Sequence, residues 1–265
     1  MIIIPGALII GITVGLLGAG GSILTVPILI YLVGQEEKIA IAGSMAIVGF
    51  IALIGSISCI KANHVDWRNV VLFGIPGMLG TYGGASLAIF VPGIVQLMTF
   101  AAVMIVASVL MLRPIVDDEA NHRSQSGTDS TGVQKIRHPI TIITDGLVVG
   151  LLTGFVGVGG GFLIVPALVL LGGLNMHRAV ATSMVIIALK SFTGFAKYLD
   201  VLEAFDLSLD WEVIIAFSLI GAIGSLFGKY VSGYIAQNTL KRGFGIFLIV
   251  MAGYILIQSS QDLIA

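Results

Sequence analysis

Two glycine clusters carry the strongest chemical signal in this chain: Gly18-Ala19-Gly20-Gly21-Ser22, and Gly157-Val158-Gly159-Gly160-Gly161. Each interrupts an apolar run, and each is followed a few residues on by a proline, Pro27 or Pro166. A backbone break at membrane depth strands N–H and C=O groups, which is tolerated only where protein or a wet cavity covers them. A half-helix restarting near Ser22 or Gly161 would present free amide donors and the positive end of its dipole, which suits an anion. Gly20, Gly21, Gly159, Gly160 and Gly161 would let the backbone approach a ligand closely and adopt positive φ, with Gly18 and Gly157 opening the two breaks of the candidate substrate site. The competing reading is close helix packing by small residues. The doubling of the cluster favours a shared central cavity.

Three further residues fit the same chemistry. Ser44 and Ser183 hold matching places early in their segments and could offer hydroxyl donors to an oxyanion, or return those hydroxyls to their own helix. Lys190 lies about 12 residues, or about 18 Å, beyond Arg178. That puts its amine near mid-membrane, where an ionisable group is a functional candidate, unless it snorkels toward Lys197. Thr25, Thr81, Tyr82, Gln96, Asn63, Thr153 and Ser191 are polar residues within or beside the apolar segments, and none stands out alone. His64 with Asp66 reads as a solvated loop pair, His177-Arg178 as a segment start, and Trp67 and Trp211 as interfacial anchors. No spacing of His, Cys, Asp and Glu suits a metal, and no motif suits an enzyme or a cofactor. The single cysteine, Cys59, excludes an intrachain disulfide and reads as a small buried apolar residue.

The elements that must position these residues are set by the solvent. The chain of 265 residues is 57% hydrophobic and only 10% charged, with a mean hydropathy of +1.08. An average soluble chain is about a quarter charged, so lipid is the main solvent here. A formal net charge of -1 offers no basic face for nucleic acid. The first residues lack a basic leader region, so the first apolar segment is expected to stay in the mature protein. Boundaries at Gly, Pro and charge clusters give apolar segments at about 3–33, 39–60, 69–90, 93–113, 140–172, 178–197, 211–234 and 239–258. Several reach about 20 residues, enough to cross roughly 30 Å of hydrocarbon. The expected fold is therefore all-α and polytopic.

The two sides of the polar stretch 114–138 repeat one another. Sliding the chain by 139 positions brings Gly11, Gly15, Gly18, Gly20, Gly21, Leu24, Val26 and Pro27 onto Gly150, Gly154, Gly157, Gly159, Gly160, Leu163, Val165 and Pro166. The same shift pairs Ser44-Met45 with Ser183-Met184, and after a short insertion Asp66-Trp67 pairs with Asp210-Trp211. This divides the chain into a first repeat at 1–113, a linker at 114–138 and a second repeat at 139–265, a signature of secondary transporters. Each half opens with a segment of about 30 residues, or about 45 Å, too long for one straight crossing. If these segments are re-entrant, Lys61, Arg68, Arg113, Arg123, Lys135, Arg137, Arg178, Lys229, Lys241 and Arg242 share one face, and Lys38 and Lys197 lie opposite. Retention of basic residues on the cytoplasmic side then favours inverted halves with both termini outside. The alternative is a broken segment that crosses fully while tilted.

The pattern Gly18 to Pro27 with Ala40 to Met45, repeated as Gly157 to Pro166 with Ala179 to Met184, resembles the sulfite exporter TauE/SafE family, also called the toluene-sulfonate uptake permease family. The likeness covers nearly the whole chain. It implies a bacterial or archaeal plasma-membrane transporter for sulfite, organosulfonates or related sulfur-containing anions, with the two glycine-rich breaks as the core of its site. Ser22 stands where the second break has Gly161, so the breaks need not contribute equally. The expected function is secondary transport of such an anion by alternating access around a midplane site, with a proton as one option for the coupling ion and a homo-oligomer left open. The alternatives are a passive anion channel and a non-transporting membrane scaffold.

Overall fold

A computed structural model describes residues 3–18, 20–112, 139–156 and 161–264; Ala19, the second glycine cluster at 157–160 and the polar stretch 113–138 lie outside them. All regular structure among the described residues is helical. In chain order the helices are α1 (Ile3–Leu17), α2 (Gly20–Pro27), α3 (Glu37–Lys61), α4 (Trp67–Phe90), α5 (Gly93–Leu112), α6 (Pro139–Val156), α7 (Gly161–Pro166), α8 (Met176–Ala204), α9 (Trp211–Ser232) and α10 (Gln237–Ile264). Seven are long and apolar enough to cross a membrane: α3, α4, α5, α6, α8, α9 and the Asn238–Gln258 part of α10. In hydrocarbon a helix satisfies every internal backbone group without water, so low charge and long apolar runs dictate this fold class.

The first apolar segment on each side of the polar stretch comprises two helices. Gly18 turns the chain at φ +73°. Beyond it Gly21 lies on Ile10 and Val14, and a methyl group on Gly6 would touch Ile28 at 3.4 Å. Residues late in the segment thus stand beside residues early in it, so α2 doubles back along α1. After the polar stretch the order also reverses: Val149 and Leu152 share a cavity wall with Leu163 and Pro166, and Ile142 and Asp145 share one with Leu168 and Leu171. Pro27 and Pro166 end α2 and α7, and each return arm continues as a wider π-helical turn, Ile28–Leu32 or Ala167–Leu171. Proline removes one N–H and crowds the preceding turn, so the ladder loosens there. Gly34 and Gly173 then stop the two arms in the left-handed region, at φ +80° and +68°, where glycine carries no penalty.

The two hairpins are packed crosswise. α1 lies along α9, and α6 lies along α4; α3 crosses α8 at the centre, α5 pairs with α10, and α2 touches α7. Glycines make the crosswise contacts backbone to backbone. Gly11 and Gly15 rest on the carbonyls of Gly221 and Ser225, as Gly150 and Gly154 rest on those of Gly77 and Thr81. In return Gly224 and Gly228 face the carbonyls of Leu8 and Ile12, and Gly80 and Gly84 face those of Leu147 and Leu151. Lipid tails are as apolar as leucine, so such van der Waals contact is what holds helices together in a bilayer.

Side-chain caps fix the segment starts. Asp66 accepts from the N–H of Asn69 and Asp210 from that of Val213, both at 3.2 Å, which satisfies first-turn donors. Lys38 is buried, and its ammonium donates to the carbonyls of Ala88 and Val91 at the end of α4, a favourable place for a cation.

Candidate functional site

Helix α8 is the axis on which the candidate residues can be placed. Gly18, the turn of the first hairpin, meets its early part: a methyl group there would stand 2.8 Å from Ser183 Oγ and 3.0 Å from Val180 Cα. The end of α6 meets its late part, where Tyr198 Oη donates to the carbonyl of Phe155 at 3.4 Å. Ser183 and Tyr198 are about 22 Å apart at 1.5 Å per residue. The turn of the first hairpin and the end of the outgoing arm of the second therefore sit toward opposite ends of α8. Gly157, Gly159 and Gly160 lie outside the described residues, and Gly161 is buried at the start of α7.

Lys190 stands midway between these two contacts. It is 1% exposed, and its amine donates to Thr153 Oγ1 at 3.2 Å. The stem lies over Gly77, where a methyl group would stand 3.2 Å from Lys190 Cδ. The side chain is thus turned into the protein against α4 and α6, and does not snorkel toward Lys197, which instead pairs with Asp200 at 2.7 Å.

The serines behave differently from donors held ready for an anion. Ser44 Oγ donates to the carbonyl of Ile41 and Ser183 Oγ to that of Val180, both at 2.8 Å. Their protons are used within their own helices, and Ser183 keeps an oxygen facing Gly18. Ser22 is fully buried at the start of α2. Gly20 opens that helix, and Gly21 is spent on contact with α1.

Sequence reasoning undervalued one polar network. Gln96 Nε2 donates to the carbonyl of Phe155 at 2.9 Å and to Tyr198 Oη at 3.2 Å. Gln96 and Tyr198 are both fully buried, and they satisfy a carbonyl in the last turn of α6, where helical carbonyls commonly need outside donors. The residues 139 positions before Lys190, Thr153, Phe155 and Tyr198 are Ile51, Val14, Leu16 and Cys59. Cys59 is buried, with Sγ 3.8 Å from Met184 Sδ. The polar hardware is gathered on the second hairpin, and the matching places at the first are apolar. Gln96 and Thr153 were visible only as isolated polar residues. Tyr198, two turns beyond Lys190 on one face of α8, is the signal that links them.

The remaining candidates lie at the rims. His64 is exposed, His177 Nε2 lies 3.3 Å from the carbonyl of Ser232, and Trp67 and Trp211 are 54% and 55% exposed. Among the described residues no group of His, Cys, Asp and Glu could hold a metal. A cavity of about 410 Å³ between α5, α6 and α7 is lined wholly by apolar side chains, among them Val103, Leu152 and Leu163, and lies apart from the polar residues.

The sequence model described as sulfite exporter TauE/SafE matches residues 3–255. The chain belongs to the TauE/SafE family. A probable membrane transporter protein of Xylella fastidiosa (strain 9a5c) is 31% identical over 261 residues, covering 97% of this chain and 95% of that one. The archaeal probable membrane transporter protein MJ0441 of Methanocaldococcus jannaschii is 25% identical over 264 residues, covering 96% and 94%. YunE of Bacillus subtilis, also a probable membrane transporter protein, is 30% identical over 223 residues, covering 75% and 78%. No solved structure matches significantly. This TauE/SafE protein is a multi-pass membrane transporter.

Proposed function

We propose that this TauE/SafE protein is a secondary transporter that moves sulfite, a sulfonate or a related small sulfur-containing anion by alternating access. It works in the plasma membrane of a bacterium or archaeon, as two inverted halves, 1–113 and 139–265. The observation that carries the reading is Lys190: a buried amine, held by Thr153 midway along the helix whose two ends meet the two hairpins. A lysine so placed is costly unless it serves an anionic guest or a moving charge.

The crosswise glycine contacts support the inverted arrangement, since each hairpin is seated on the helix that holds the equivalent place in the other half. A rocking cycle follows from this layout. The first hairpin closes the path near Ser183, the second closes it near Tyr198, and the anion passes between them past Lys190. Small residues at the sliding surfaces let backbones shift without moving bulky side chains.

Direct binding tests the reading. Sulfite, thiosulfate, taurine and sulfoacetate are titrated into purified protein in detergent. Saturable binding of at least one, weakened in Lys190→Met, is the expected result. No saturable binding of any of them overturns the reading.

A further inference from the structure

The side-chain amide of Gln96 is used at its nitrogen and not at its oxygen. Nε2 donates to the carbonyl of Phe155 at 2.9 Å and to Tyr198 Oη at 3.2 Å, while Oε1 is buried with no hydrogen-bond partner. Phe155 fixes which amide atom is which, because its carbonyl can only accept and the nitrogen must face it. Gln96 is 0% exposed, and a buried acceptor without a donor calls for an explanation, such as an unseen water or ligand. Closing the last turn of α6 explains the nitrogen and leaves the oxygen unexplained.

Packing alone does not ask for an amide at such a joint. Counting on the 144 positions that separate Asp66 from Asp210 leads from Gln96 to Leu240. The backbones agree: the Gln96 N–H donates to the carbonyl of Pro92 at 3.3 Å, and the Leu240 N–H to that of Ala236, 144 positions after Pro92, at 3.0 Å. Leu240 is 3% exposed, so a buried leucine fills the matching place. With Ile51, Val14 and Cys59 matching Lys190, Thr153 and Tyr198, each polar member of this cluster has an apolar counterpart in a joint that closes without it.

The cluster also brings opposite hydrogen-bonding characters to one turn of α6. Lys190 carries an amine to Thr153, and Gln96 carries its amide to Phe155, two residues or about 3 Å further along that helix. An amine suits the oxygens of an anion, whereas a bare amide oxygen suits a donor and disfavours those same oxygens. We propose that Gln96 Oε1 selects the guest: the transported anion carries, apart from its negative oxygens, an O–H or N–H group from which this oxygen accepts. The inference rests on the transport reading and narrows its substrate class to sulfur-containing anions with a donor of their own. A site built to accept a hydrogen bond rejects an analogue without the donor, because its buried acceptor is then left unpaired.

The test titrates full-length protein in detergent with sulfonates of one length that differ only at the far end: ethanesulfonate, hydroxyethanesulfonate and taurine. The expected result is that the hydroxyl or the amine tightens binding at least about tenfold over ethanesulfonate, and which of them does so names the donor. Gln96→Met removes this preference by weakening the donor-bearing anion alone, whereas Tyr198→Phe, which leaves Oε1 in place, keeps it. A residue that only closed α6 would not move the ratio. If Gln96→Met does not fold, Gln96→Asn, which draws the oxygen back by one carbon, decides in its place. Equal affinities in the wild type, or a preference unchanged in the Gln96 variant, overturn the proposal and leave a structural water only. Saturable binding without preference sinks only this inference. Absence of binding by all the sulfonates overturns it too, and if sulfite and thiosulfate also fail to bind, the transport reading falls with it.

Discussion

Lys190 donates a hydrogen bond to Thr153 Oγ1 at 3.2 Å, joining the middle of α8 to the outgoing arm of the second hairpin. Thr153 in turn donates to the carbonyl of Gly150 at 3.0 Å, the residue on which that arm rests against Gly77. One amine is therefore linked to the surface along which α6 and α4 meet. An anion that drew the ammonium away from Thr153 would act on the contact that seats the second hairpin.

Lys190→Met keeps the length of the stem and removes the charge. The lost contact to an anion is worth about 1.5–3 kcal/mol, so sulfite flux falls by about 10- to 150-fold. The melting temperature holds or rises, because an apolar residue relieves a buried polar group. Flux and stability lost together would make Lys190 a structural residue.

Gly11→Ala and Gly150→Ala each drive a methyl group into a backbone carbonyl that cannot turn aside. Such overpacking costs about 1–3 kcal/mol, seen as a lower melting temperature in detergent. Gly83 has nothing within 4 Å of an added methyl group, so Gly83→Ala leaves the melting temperature level or higher. Equal behaviour of the three variants would contradict the crosswise packing.

Much of this was legible in the residues. Gly and Pro spacing located the interruptions, and the expected segments at about 69–90 and 93–113 agree closely with α4 (Trp67–Phe90) and α5 (Gly93–Leu112). Positive φ was expected at Gly20, Gly21 and Gly161, but these lie in right-handed helix at the starts of α2 and α7, and the left-handed turn falls on Gly18 instead. What spacing cannot carry is partnership across the halves. That Gly11 meets Gly221, and that Gln96 meets Tyr198, depends on contacts between segments more than a hundred residues apart. The serine hydroxyls faced two open alternatives, and geometry turned both toward their own helices.

Lys38→Met removes the ammonium that closes the end of α4. Two carbonyls, of Ala88 and Val91, lose a charged donor, a loss of about 1.5–3 kcal/mol. Thermal unfolding in detergent registers it as a lower melting temperature. An unchanged value would show that water replaces the lysine at no cost.

Gln96→Leu takes from the Phe155 carbonyl its shorter hydrogen bond, 2.9 Å against 3.4 Å from Tyr198. A buried carbonyl so weakened costs about 1–3 kcal/mol, and Tyr198→Phe costs less. The order of the two melting temperatures checks this: the reverse order would mean that Tyr198 carries the network.

Counterflow in vesicles reconstituted with the pure protein tests the central claim most directly. Vesicles loaded with unlabelled sulfite are diluted into labelled sulfite, and internal label is followed in time. Alternating access predicts a transient accumulation of label above its equilibrium level, present in the wild type and strongly reduced in Lys190→Met. Label that enters no faster than in protein-free vesicles, or that enters quickly without overshoot, would contradict it.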